Sequence, residues 1–159
     1  MTYALWKYPI HFLAYGFGTG LAPFAPGTFG SLVGVALFCF MAPLGAVSYA
    51  GIVIVLFVAG IFICGQTARD TAAVDPGFIV YDEVIGFAVA MYLMPREWRW
   101  IAAGFIIYRI FDIWKPFPIH IIEEKLTLGT AIMADDVIAG IYTLLVLQIV
   151  RLALKKIAH

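Results

Sequence analysis

The sequence predicts an all-α fold: a compact membrane bundle of about four to five apolar helices, some short or re-entrant, behind an interfacial N-terminal segment. Three observations carry that prediction. Apolar residues fill 64% of the 159 positions, far above the roughly 45–50% of a soluble domain. From Tyr8 to Ala68 there is no Asp, Glu, Lys or Arg, and His11 is the only side chain that titrates near neutral pH. Beyond that stretch, two acidic pairs open apolar runs, Asp82-Glu83 in DEVIG and Asp135-Asp136 in DDVIAG. The length suits a single domain covering residues 1–159. A formal net charge of zero leaves no electrostatic footprint for nucleic acid. A secretory signal is not expected, because the N-terminus has one Lys, an internal Pro and no A-x-A cleavage pattern.

Residues 1–15 combine Trp6, Tyr8, Phe12 and Tyr15 with Lys7 and His11, a mixture suited to the membrane interface. Gly16 to Ser31, GFGTGLAPFAPGTFGS, holds too much Gly and Pro for regular helix. Thr28 or Ser31 is expected to cap the next helix, whose backbone N–H groups would face back toward this loop and attract phosphate. The loop lacks GxxxxGK[ST] and any Lys, so it is no P-loop, and a tight connector explains it equally well.

Apolar helices follow from Thr28 to about Ala42, stopped by Pro43, and from Gly45 to about Cys64. The second covers about 30 Å and can span, while the first is marginal. Gly30, Ser31, Gly34 and Ala36 offer small surfaces for close helix contact. Gln66 to Gly77 reads as a polar connector in which Arg69 and Asp70 mark the water boundary and Asp75-Pro76-Gly77 forms a turn. A third helix, Asp82 to Met94, is short for a full span. Arg96 to Trp100 resembles an interfacial anchor. The run from Ile101 to Phe111 leads into Arg109, Asp112 and Lys115, spaced to share a helical face up to Pro116. Glu123, Glu124 and Lys125 read as a solvated charge cluster. The last run, Ile132 to Leu154, ends in Arg151, Lys155 and Lys156, which favours a cytoplasmic C-terminus. Five full spans would put the two termini on opposite sides, against the basic residues near both. One short run is therefore expected to be re-entrant or interfacial, and the sequence does not say which.

A charge at hydrocarbon depth costs about 2.5–3.5 kcal/mol on insertion scales, so the acidic pairs need a compensating role. Carboxylate oxygens from two helices at a water-accessible mouth suit a hard cation such as Mg2+. A proton or cation relay would use the same groups. Arg109 and Lys115 argue against a pure cation path, because they would repel the ion yet could clamp phosphoryl oxygens. The combination points to metal-dependent phosphoryl chemistry. Cys39 and Cys64 lie in apolar runs and read as packing residues; Cys64 precedes Arg69 by five positions, one short of the phosphatase loop that uses a Cys nucleophile. His11, His120 and His159 lack zinc-ligand spacing.

Four segments, GTGLAPFAPGTFGS, DPGFIVYDEVIG, YRIFDIWKPFPI and GTAIMADDVIAG, together resemble the phosphatidylglycerophosphatase A family over about residues 16–142. The resemblance implies a magnesium-dependent, multi-pass phosphatase of the bacterial inner membrane. Its expected reaction removes the terminal phosphate of phosphatidylglycerophosphate at the cytoplasmic leaflet, giving phosphatidylglycerol. It places the family's acidic motifs on Asp82, Glu83, Asp112, Asp135 and Asp136, followed by Lys115. The family's third motif usually opens with Phe-Arg, where this chain has Tyr108-Arg109 and keeps the basic residue. On this reading Asp82, Glu83, Asp135 and Asp136 hold one or two Mg2+ ions. Arg109 and Lys115 bind the phosphate with help from the loop through Gly18, Thr19, Gly27, Thr28 and Ser31. Asp82, Asp112, Lys115 and Asp136 carry the catalysis, with Asp112 as ligand, base or nucleophile. The alternative is a small cation- or proton-coupled carrier built on the same carboxylates, and a scaffold with merely paired charges is a third reading. Oligomeric state is not legible.

Overall fold

The computed structural model describes residues 8–72, 77–119, 121 and 125–157, and among them every regular element is helical. In chain order these are α1 (Pro9–Ala14), a single 3-10 turn (Thr19–Leu21), α2 (Pro26–Met41), α3 (Ala46–Thr71), α4 (Tyr81–Ala90), α5 (Trp98–Trp114) and α6 (Leu128–Ile157). The Asp75-Pro76 part of the expected turn and the acidic part of the Glu123-Glu124-Lys125 cluster lie outside the described residues; Lys125 is exposed.

The short helix α4 is the hub. It packs against α2, α3, α5 and α6, and α6 in turn packs against α3 and α5. Ten residues at 1.5 Å each make α4 about 15 Å long, half the hydrocarbon thickness of about 30 Å. Nearly its whole surface is buried, Asp82 included.

Glycines set the closeness of these packings. The two acidic echoes each carry a glycine, Gly86 and Gly140, and there α4 and α6 cross backbone to backbone. A Cβ on Gly140 would collide with the Gly86 carbonyl oxygen, and one on Gly86 would stand 2.7 Å from the Asp136 carbonyl oxygen. The repeat is thus the crossing point that brings both acidic pairs together. On α2, Gly30 faces Val80 and Gly34 faces Phe87 and Val84, so the small-residue stripe works as expected against α4. Tyr49 and Tyr81 tie α3 to α4 by donating to the carbonyls of Ala88 and Leu56, at 2.6 and 3.1 Å.

Two boundaries differ from the sequence expectation. Helix α3 continues seven residues past Cys64 to Thr71, because Gln66, Arg69 and Asp70 bond one another along the helix surface. The cap of α2 is neither Thr28 nor Ser31: the cap position is Ala25, Pro26 opens the helix, and the Ser31 hydroxyl donates within the helix to the Gly27 carbonyl at 2.9 Å. Of the N-terminal aromatic segment, residues 1–7 lie outside the described residues; α1 packs on α3 with His11, Ala14 and Tyr15 buried, while Tyr8 and Phe12 stay exposed. His11 Nδ1 lies 2.9 Å from Thr67 Oγ1, and its Nε2 lies 3.3 Å from Asp70.

Outward faces carry large apolar side chains, among them Phe40, Val47, Val55, Phe62, Ile113 and Leu152. Two helices, α3 and α6, are long and apolar enough to cross a bilayer. Both features indicate association with a membrane. Cys64 is buried with its Sγ 3.8 Å from the Met133 sulfur, a packing role as expected.

Candidate active site

Three elements build the site. The first turn of α4 presents Asp82 and Glu83, the second turn region of α6 presents Asp135 and Asp136, and the end of α5 presents Tyr108, Arg109 and Asp112, with Lys115 just beyond it. Asp82, Asp135 and Asp136 are all buried, and each offers an oxygen within 4.8 Å of the others. Residues more than fifty positions apart in sequence therefore share one cluster. The Asp112 carboxyl lies within hydrogen-bonding reach of Asp136.

Glu83 stands beside the trio and faces the guanidinium: its Oε1 is 4.0 Å from Arg109 Nη1. Arg109 also clasps Asp112 through Nη1, the i,i+3 pairing expected on α5. Lys115 reaches Asp135, with Nζ 2.7 Å from Oδ2. This cross-helix contact depends on a left-handed turn at Lys115, φ 45° and ψ 63°, which ends α5 and swings the side chain toward α6. Such a conformation costs a non-glycine residue about 1 kcal/mol or more.

One residue that touches the acidic cluster escaped the sequence reading. The Tyr108 hydroxyl donates to Asp136 Oδ1 from a fully buried position, and the space it occupies exists because residue 86 is glycine. Asp135 Oδ1 accepts the Asp136 amide at 2.9 Å, which fixes the second acidic pair further.

The glycine-rich loop divides in two. Gly27 reaches the site: a Cβ there would collide with Glu83 Oε1 and stand 3.0 Å from Arg109 Nη1, so α2 begins directly against the ion pair, and Thr28 lines a groove beside Arg109. Ser31 is buried one turn further on. Thr19 donates to its own turn, at the Gly16 carbonyl, and Gly18 adopts φ 96° with open space where a side chain would be. Among the described residues, no contact brings Gly18 or Thr19 to the acidic cluster.

The donor set is entirely oxygen, the ligand chemistry of a hard divalent cation. Among the described residues, Asp82 Oδ1 and Glu83 Oε2 are buried atoms with no hydrogen-bond partner. Buried polar atoms are seldom left so, and an ion or water would satisfy both. The residues present fit a metal.

Fold and site together define a membrane-associated helical protein that buries acidic side chains against an arginine and a lysine. A model of the phosphatidylglycerophosphatase A family matches residues 12–151. The chain is 42% identical over 134 residues to phosphatidylglycerophosphatase A of Escherichia coli, covering 84% of this chain and 78% of that one. It is 44% identical over 140 residues to the protein of that name from Haemophilus influenzae, covering 87% and 86%. A putative phosphatidylinositol-3-phosphatase of Bacteroides thetaiotaomicron is 34% identical over 145 residues, with 86% and 89% covered. No solved structure matches. The chain belongs to the phosphatidylglycerophosphatase A family and is an enzyme, a phosphatase, by that membership.

Proposed function

We propose that this protein hydrolyses the terminal phosphate of phosphatidylglycerophosphate, giving phosphatidylglycerol and inorganic phosphate, in a Mg2+-dependent reaction at the cytoplasmic face of a bacterial inner membrane. The names of its relatives support the substrate. The observation that carries the chemistry is the convergence of Asp82, Asp135 and Asp136 beside Arg109 and Lys115. A carrier needs no such pair of cations beside its acids, and family membership lends that reading no support.

Asp82, Asp135 and Asp136 would hold the metal, with Glu83 between that trio and Arg109. Bound there, a divalent ion polarises phosphoryl oxygens and lowers the pKa of a water molecule. Arg109 presents donors to the substrate phosphate in competition with Glu83 and Asp112, and Lys115 adds a second positive charge from the α6 side. Asp112 sits between Arg109 and Asp136, in position to orient the attacking water. Water oxygen bonds to phosphorus as the ester bond to the glycerol oxygen breaks; one water proton ends on the lipid hydroxyl and the other on phosphate. The single-domain, multi-pass arrangement takes α2, α3, α5 and α6 as spans. The half-length α4 starts at the site, and the chain after it goes on to Leu93, beside Arg151 near the far end of α6, before α5 returns to the site. So α4 and the turn after it complete a further crossing rather than a re-entrant loop.

The test is phosphate release from phosphatidylglycerophosphate by detergent-purified protein, with and without EDTA. Release abolished by EDTA and restored by Mg2+ is expected. Undiminished release in EDTA would rule out the metal, and no release under any condition would rule out the activity.

A further inference from the structure

A groove of about 560 Å3 runs between the head of α2 and the outer face of α5. Its volume falls within the range of about 300–1,000 Å3 typical of small-molecule sites. Ile106, Ile110, Ile113 and Trp114 line it, on one face of α5 by their helical spacing, and they are 53–73% exposed. The polar members of the lining are Thr28 and Arg109. Arg109 is also the residue that contacts Glu83 and Asp112, so a single side chain forms both the inner wall of the groove and the edge of the acidic site. Arg109 Nε is a buried donor with no partner among the described residues.

We propose that this groove is the lateral entrance for the lipid substrate, in which one acyl chain lies along α5 while the phosphate end turns inward at Arg109. The inference rests on the phosphatase reading above. An amphipathic lipid phosphate matches the groove end for end: the apolar isoleucine face takes the chain, and the guanidinium takes the anion. A second cavity, of about 470 Å3 among α1, α2, α3 and α4, is lined by no charged residue and so offers no cation to a phosphate. Because Ile106 and Ile110 point outward, changing them leaves the buried core intact.

The experiment compares two substrates on Ile110→Trp, Ile106→Trp and a control, Val55→Trp, which is an exposed position on α3. One substrate is long-chain phosphatidylglycerophosphate in mixed micelles, and the other is its water-soluble dibutanoyl counterpart. Filling the groove is expected to lower kcat/KM for the long-chain lipid about tenfold while the short-chain value stays within about twofold, and Val55→Trp changes neither. Equal effects on both substrates, no effect on either, or the same loss in Val55→Trp would mean bulk lipid contact only and overturn the entrance. Absence of phosphate release from either substrate by the unsubstituted protein would overturn the underlying phosphatase reading and the entrance with it.

Discussion

Tyr108 and Asp136, on neighbouring helices α5 and α6, meet in a hydrogen bond that has no exposure to solvent on the tyrosine side. The phenol holds one carboxylate oxygen of a residue that belongs to the acidic cluster. It acts through Asp136 and does not face the groove. Tyr108→Phe is therefore expected to raise the Mg2+ concentration for half-maximal activity about tenfold, the usual cost of losing an outer partner of a metal-binding carboxylate. The rate at saturating Mg2+ should change little. A Mg2+ titration of phosphate release checks this, and an unchanged midpoint would deny Tyr108 a positioning role.

Asp82 and Asp136 come from helices far apart in sequence and share one cluster. Replacing either by Asn keeps the volume and removes the charge. Phosphate release should fall below detection, with membrane insertion and the helical circular dichroism spectrum unchanged. Full activity in both variants would reject the metal-site assignment.

Lys115 contacts Asp135 at 2.7 Å. If it also stabilises developing phosphoryl charge, Lys115→Ala should reduce kcat on the order of 100-fold. A lysine serving only as a structural pair would lower the melting temperature and leave kcat nearly intact, so both quantities should be measured on the same preparation.

The α4–α6 crossing is sensitive to a single methyl group. In Gly140→Ala the new Cβ meets the backbone carbonyl of Gly86, which cannot swing aside as a side chain would. A destabilisation of about 1–3 kcal/mol is expected, read by thermal unfolding in detergent, together with lost activity as the acidic pairs separate. Gly45→Ala, where nothing lies within 4 Å, is the matching control.

Much of this site is legible in the sequence because the acidic pairs sit in an apolar setting that makes any charge conspicuous. The echo of DEVIG in DDVIAG reports both the carboxylates and the glycines that let their helices touch. Other features are tertiary. Nothing local tells that Lys115 will cross to Asp135, since that contact depends on a left-handed residue at the end of α5. Tyr108 reads as one more aromatic in an apolar run until Gly86 is seen to make room for its hydroxyl. The polar tail of α3 reads as a connector, because composition does not reveal that Gln66, Arg69 and Asp70 satisfy one another on a helix. Ala25 is an unpromising cap, and the Pro26 that follows it is the better sign of where α2 starts.

Helix α6 carries Asp135 and Asp136 near one end and runs on for thirty residues in total, braced by α3, α4 and α5. Its far half is tied to the chain just beyond α4, where Gln148 donates to the Tyr92 carbonyl and Arg151 to the Leu93 carbonyl. A helix pinned at Gly140 and again at Arg151 resists sliding along α4, so the alignment of the two acidic pairs is set by the same contacts that hold the bundle together.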